Sequence, residues 1–167
     1  MKLTLIRKTA ILTAMAALLA LAAPQVAAQN VLDEIEIARS ALKVDRKVVI
    51  AEGLQLTEAE SAVFWPLYRQ YRVEMDKCAD GVMTIVLEYA DVYPNVPEDR
   101  AKKLLKDYTA LEQKLANRRA WFFKKFAKVL PAVKAMRFVQ LENRLDLAVR
   151  LQLASVIPLV PTGAKPK

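Results

Sequence analysis

From Phe64 to Tyr89, apolar and aromatic residues return at steps of four and three: Phe64, Tyr68, Tyr71, Met75, Cys78, Val82, Ile85 and Tyr89. Such a stripe, held for more than three heptads, specifies one long helix packed on another helix, because these steps keep side chains on one face of a 3.6-residue turn. Its start is marked as well. Leu56 precedes Thr57, and Glu60 stands three residues further on, where the Thr57 hydroxyl can accept from the Glu60 amide and the Glu60 carboxylate from the Thr57 amide. At 1.5 Å per residue, a helix from Glu58 to Asp91 would reach about 50 Å, which makes it the spine of an extended object. Two residues strain this reading. Pro66 deprives the Ala62 carbonyl of its helical donor and predicts a kink, the alternative being a helix that starts at Pro66. Gly81 costs roughly 1 kcal/mol relative to Ala. A break there would leave Val82–Leu87, which reads as strand about as well as helix; a continuous helix is the preferred reading.

The rest of the chain is punctuated for helices, with three glycines and eight prolines in 167 residues, the prolines mostly near proposed boundaries. A first helix is expected from about Val31 to Glu52, with Asp33, Glu34 and Glu36 in its first turns, where the helix dipole favours negative charge. Val31, Ile35, Ala38, Leu42 and Val49 mark its inner face, Asp45 interrupts it, and Gly53 is placed as the stop. Val92–Pro97 (VYPNVP) is a turn. A third helix runs to about Lys128, with Pro97 in its first position and Ala101, Leu104, Tyr108, Leu111 and Leu115 inward. A fourth runs from Pro131 to near Val156, with Phe138, Leu141, Leu145, Ala148 and Leu151 inward. The expected fold is all-α: four helices, with a long antiparallel hairpin of the second and third joined by the short turn.

Residues 1–28 have the pattern of a secretory signal peptide. Lys2, Arg7 and Lys8 precede an apolar run from Ala10 to Ala23, and Val26 and Ala28 suit a cut after Ala28. An uncleaved membrane anchor is the alternative. Export to the periplasm leaves residues 29–157 as one helical domain and 158–167 as a disordered tail.

Charge and aromatics locate a candidate surface. The +8 of the whole chain falls to +5 without Lys2, Arg7 and Lys8, and it is unevenly placed. Gln29 to Asp99 carries seven basic and fourteen acidic residues; Arg100 to Lys167 carries sixteen basic and four acidic. Arg118, Arg119, Lys124, Lys125 and Lys128 flank Trp121, Phe122, Phe123 and Phe126. Phe122 and Phe126 share a helix face, while Trp121 and Phe123 point about 100° to either side of Phe122. Arg118, Arg119, Trp121, Phe123, Lys124, Lys125 and Lys128 are therefore the candidate client-binding residues. A basic rim around apolar groups suits unfolded chains and would also suit an anionic membrane surface. The bland alternative is a solvated face with intramolecular charge matching. Export and nucleic-acid binding do not go together, so no nucleic acid is expected.

Other classes find no support in composition. With no His and one Cys, the chain offers neither the imidazole nor the thiolate cluster that zinc, nickel or cobalt would need, so neither a metal nor a cofactor is expected, the alternative being a carboxylate-only site suited to a hard cation. No His base and no nucleophile motif is present, every carboxylate has a helix-surface explanation, and the chain is not expected to be an enzyme. Cys78 sits in the seam as a small buried hydrophobe, the alternative being a disulfide across a dimer axis.

Leu56-Thr57-Glu58-Ala59-Glu60 resembles the LTxxQ motif that opens a long helix in the Spy/CpxP-like periplasmic proteins. The family's second copy corresponds to Leu130-Pro131-Ala132-Val133-Lys134, followed by Phe138-Val139-Gln140-Leu141-Glu142. Glu60 replaces Gln in the first copy; Pro131 replaces Thr and Lys134 replaces Gln in the second. The resemblance implies an elongated helical hairpin that pairs as a cradle-shaped homodimer. It also implies ATP-independent chaperoning of unfolded or misfolded envelope proteins, or restraint of an envelope-stress or metal-stress sensor. A purely structural envelope protein is the third expectation.

Replacing Thr57 by Ala should lower stability by about 1 kcal/mol, because an amide at the helix start loses its acceptor. A thermal melt identical to wild type would move the start of the spine helix towards Pro66.

Overall fold

The computed structural model describes residues 46–162. The expected signal sequence and its expected cut after Ala28, the expected inner residues Val31, Ile35, Ala38 and Leu42, and the last residues of the tail lie outside the described residues. Among the described residues the chain is all-α, without strands, in four helices: α1 (residues 46–54), α2 (Glu58–Val92), α3 (Glu98–Val129) and α4 (Ala132–Val156).

α2 starts where the capping box places it. Thr57 Oγ1 accepts from the Glu60 amide at 3.3 Å and Glu60 Oε2 from the Thr57 amide at 2.8 Å. The helix continues through both Pro66 and Gly81. Pro66 and Ala62 are exposed, so solvent can reach the carbonyl that has lost its donor. Gly81 is a contact residue rather than a break: a Cβ there would stand 3.0 Å from Leu111 Cδ1 of α3. Pro97 and Pro131 each stand one residue earlier than expected, as the extended cap before the first helical residue.

Contacts advance along α2 as they retreat along α3: Phe64 with Phe126, Tyr71 with Phe122, Gly81 with Leu111, Glu88 with Lys103. The core lies where α1, the first half of α2, the last part of α3 and the start of α4 meet. Ile50 and Leu54, then Phe64, Tyr68, Tyr71 and Met75, then Phe122 and Phe126, then Leu130, Ala135 and Phe138 form one buried cluster. Phe138 is its centre, with ring centroids 4.3 Å from Phe126 and 5.4 Å from Phe64. Beyond Cys78 the seam thins, and Val82, Ile85 and Tyr89 are only half-buried.

The structure corrects several inner faces. On α1 the buried line is Arg46, Ile50 and Leu54, whereas Val49 is exposed. Gly53 lies within α1 and does not stop it; the positive φ falls at Gln55 (46°). Glycine at 53 instead admits α4, since a Cβ would stand 2.6 Å from Leu141 Cδ1, and the Gly53 carbonyl accepts from Arg137 Nε. On α3, Tyr108 is exposed although Leu104 is buried. On α4, Ala148 and Leu151 face solvent, and the buried line is Ala135, Phe138 and Glu142. Phe138, Leu141 and Leu145 do meet the core as expected, but the fully buried line turns a carboxylate, Glu142, inward, and beyond Leu145 the expected inner residues are left uncovered.

Cys78 is buried, so a thiol reagent should label the native protein slowly and the urea-unfolded protein fast. Rapid native labelling, or a disulfide-linked dimer on a non-reducing gel, would show that the sulfur is accessible.

Candidate functional site

Glu142 is fully buried, and an ionised carboxylate taken out of water is costly unless several donors face it. Four do. Arg46 Nη1 reaches Oε2 at 2.8 Å, the Tyr71 hydroxyl donates to Oε2 at 3.1 Å, the Tyr68 hydroxyl donates to Oε1 at 3.1 Å, and Arg72 Nη1 lies 3.4 Å from Oε2. The second nitrogen of Arg46 binds Asp146 Oδ1 at 2.9 Å, one turn along α4, and Arg119 of α3 pairs with the other oxygen of Asp146. Arg72 Nη2 reaches Asp76 at 3.0 Å. Three guanidinium groups thus meet three carboxylates, and all four helices contribute.

The electrostatics follow from this packing. Burial, and then the negative charge of Glu142, push the phenol pKa values of Tyr68 and Tyr71 far above the usual range. Burial opposes the charge of Arg72, but Glu142 and Asp76 more than offset it and leave its pKa raised. The phenols stay protonated as donors, and the cluster acts as a bracket between helices. Sequence reasoning missed it by assigning every carboxylate to a helix surface. The available signal was Glu142 four residues after Phe138, together with tyrosine rather than phenylalanine at 68 and 71.

The cap motif is a tertiary contact too. Lys134 Nζ lies 2.6 Å from Glu60 Oε2 and 3.0 Å from the Gln55 carbonyl, and Leu56 packs on the core. The Lys134 hydrogen bond, then the Thr57 amide, hold the Glu60 carboxyl below its ordinary range.

The α3 candidates divide between the interior and the surface. Phe122 and Phe126 are core, Phe123 is half-buried against Tyr71 and Phe138, and Arg119 turns inward to Asp146. Trp121 is 45 % exposed, Lys124 and Lys128 face solvent, and Arg118 Nε lies 3.5 Å from Glu74. Lys125 Nζ stands 3.6 Å from the Trp121 ring centroid, a cation–π contact that holds the indole. The structure therefore brings Arg118, Trp121 and Lys125 together on one outer face and sends Arg119 and Phe123 to the opposite side.

Compared with family models, curated proteins and solved structures, the chain matches none. Among the described residues no group of three or more Cys, Asp or Glu side chains could hold a metal ion, and no helix is long and apolar enough to cross a membrane.

Glu142→Gln should destabilise the protein by about 3 kcal/mol in urea melts, because buried Arg46 keeps only Asp146, Arg72 keeps only Asp76, and the two phenols lose a charged acceptor. An unchanged midpoint would remove Glu142 from the centre of the bracket. Alkaline pH gives a separate expectation. A phenol whose pKa is raised by folding contributes stability that is fully present below its unfolded pKa of 10.0 and is lost as pH climbs towards the higher native value. Stability should fall above pH 10 by this route, and Tyr68→Phe,Tyr71→Phe should flatten that fall. Tyrosinate absorbance that develops completely while the circular dichroism stays native would contradict it.

Proposed function

We propose that the chain is an exported, ATP-independent chaperone-like protein that holds unfolded or misfolded envelope proteins in the periplasm. In this reading it belongs with the Spy/CpxP-like proteins, is cut after Ala28, and works as a homodimer of elongated antiparallel hairpins. It performs no catalysis. The order of contacts between α2 and α3 supports the hairpin.

One observation carries the functional reading. The outer face of α4 leaves Val133, Met136, Leu147 and Leu151 exposed by 81 %, 57 %, 65 % and 74 %, in a chain whose second half is strongly basic. Apolar side chains left in water at helical spacing cost solubility unless they meet a partner. An unfolded chain exposes both apolar groups and carboxylates. Long-range attraction by Arg118, Lys124 and Lys128 speeds the encounter, and apolar contact with α4 and Trp121 holds the complex.

Protein from Gln29 onward should slow aggregation of a chemically unfolded client with no nucleotide present. Added salt should slow capture without abolishing it, since only the charge contribution is screened, within about 8 Å at physiological strength. Charge reversal at Lys124 and Lys128 should lower the capture rate, whereas Trp121→Ala or Leu147→Ser should shorten the lifetime of the complex. A wild type inactive against several clients at a few-fold excess would overturn the chaperone reading. Co-purification with one defined sensor would then support the accessory role, and its absence a structural one.

A further inference from the structure

On α3, Lys114, Arg118, Trp121, Lys125 and Lys128 follow one another at steps of four, three, four and three. These steps keep all five on a single side of the helix, in a row about 21 Å long with neighbours about 5 Å apart along the axis. The row lies beside the core-facing line of Leu104, Phe122 and Phe126, so it faces outward along nearly half of α3. Four members are cations and the central one is an indole.

The surroundings of Trp121 are asymmetric. The Lys125 ammonium covers the ring from the C-terminal side. On the N-terminal side is an open depression of about 500 Å³, lined by Lys114, Asn117, Arg118 and Trp121. Gln113 Nε2 donates to Asn117 Oδ1 at 3.1 Å, which leaves the Asn117 NH₂ as the donor of that side chain. The lining therefore presents an ammonium, a guanidinium and an amide NH₂ beside one aromatic wall. Glu74 of α2 sits 3.5 Å from Arg118 Nε, so an incoming anion shares that guanidinium with a carboxylate and relies more on Lys114 and Asn117.

We infer that this row binds a linear anionic glycan, with one acidic sugar ring against Trp121 and its anionic and hydroxyl oxygens on Lys114, Asn117 and Arg118. The C–H face of a sugar packs on an indole, its oxygens accept from the three donors, and a polymer with one acid group per sugar or two meets Lys125 and Lys128 further along. The alternatives fit less well. A membrane would need several apolar side chains to insert, and the row has one. Single-stranded nucleic acid is held by stacking successive bases on several aromatics, and here there is one. A disordered acidic peptide would need two separate residues to meet a cation and the indole, whereas one acidic sugar carries both the C–H face and the anionic oxygens on a single ring. The glycan would occupy part of the face assigned above to clients, but the aggregation assay contains no glycan and the titration no client, so either reading can fail alone.

The test uses protein expressed from the whole chain and carrying Trp65→Phe, so that Trp121 is the single indole of the two in the sequence. Heparin oligosaccharide, oligogalacturonate, a neutral dextran oligosaccharide, polyglutamate and a single-stranded oligonucleotide are titrated while indole emission is followed. The two acidic glycans should shift the emission and bind at least about tenfold more tightly than dextran, and Trp121→Ala should weaken them about tenfold without changing polyglutamate binding. Response to heparin and not to oligogalacturonate would assign sulfate as the group required, since both glycans carry carboxylates. Asn117→Asp, at an exposed position, should weaken the glycans in the same way and checks the depression without removing the indole. Absent glycan binding overturns the inference. So does polyglutamate or the oligonucleotide binding equally tightly with the same emission shift, or glycan affinity that ignores both variants.

Discussion

The carboxylate of Glu142 sits at zero exposure among aromatic rings, and its burial sets the terms for the rest of the structure. Packing of Phe64, Phe126 and Phe138 is non-directional and would tolerate a helix sliding past its neighbours. A buried carboxylate would not, because every displaced donor leaves charge unpaired in a poorly solvated place. Arg46 has to arrive from α1, Tyr68, Tyr71 and Arg72 from α2, and Arg119 has to meet Asp146 beside it. The hydrophobic cluster supplies the drive to collapse, and the ionic cluster within it chooses the register.

A second ionic contact works at the same end of the helices. Glu60 and Lys134 meet at 2.6 Å and tie the cap of α2 to the first turn of α4. Lys134 also reaches the carbonyl of Gln55, where the chain takes a positive φ to leave α1. One end of the described helices is therefore fastened by rings and ions together. Towards the other end the seam of α2 is half-buried, and α4 turns Leu147 and Leu151 to solvent. Among the described residues, what this protein can offer a partner lies on outer helix faces.

Much of the fold was legible because it rests on local rules. Thr57 and Glu60 opened α2 where a capping box should, and the stripe from Phe64 to Cys78 is buried. The outer surface was half legible. Periodicity separates Phe122 and Phe126 from Trp121, yet it says nothing about which neighbour awaits Arg119. Gly53 misled because glycine suits a helix end and a close helix contact equally well, and only the presence of Leu141 distinguishes the two. Leu151 misled because an apolar residue at helical spacing becomes core only if another helix covers it.

The sequence by itself determined the helical class, the breaks at Val92–Pro97 and near Pro131, and the face that α2 buries. Those depend on backbone hydrogen bonding, proline geometry and the periodicity of apolar side chains, all short-range properties. Only the tertiary structure decided which charges went inside. Arg46 lies 96 residues from Glu142, and Tyr71 lies 71 residues from it. The spacing of Glu142 from Phe138 hints at an inward carboxylate but does not separate a glutamate destined for two helices' donors from one destined for water, because the energy that holds it there is that of partners brought together by the fold.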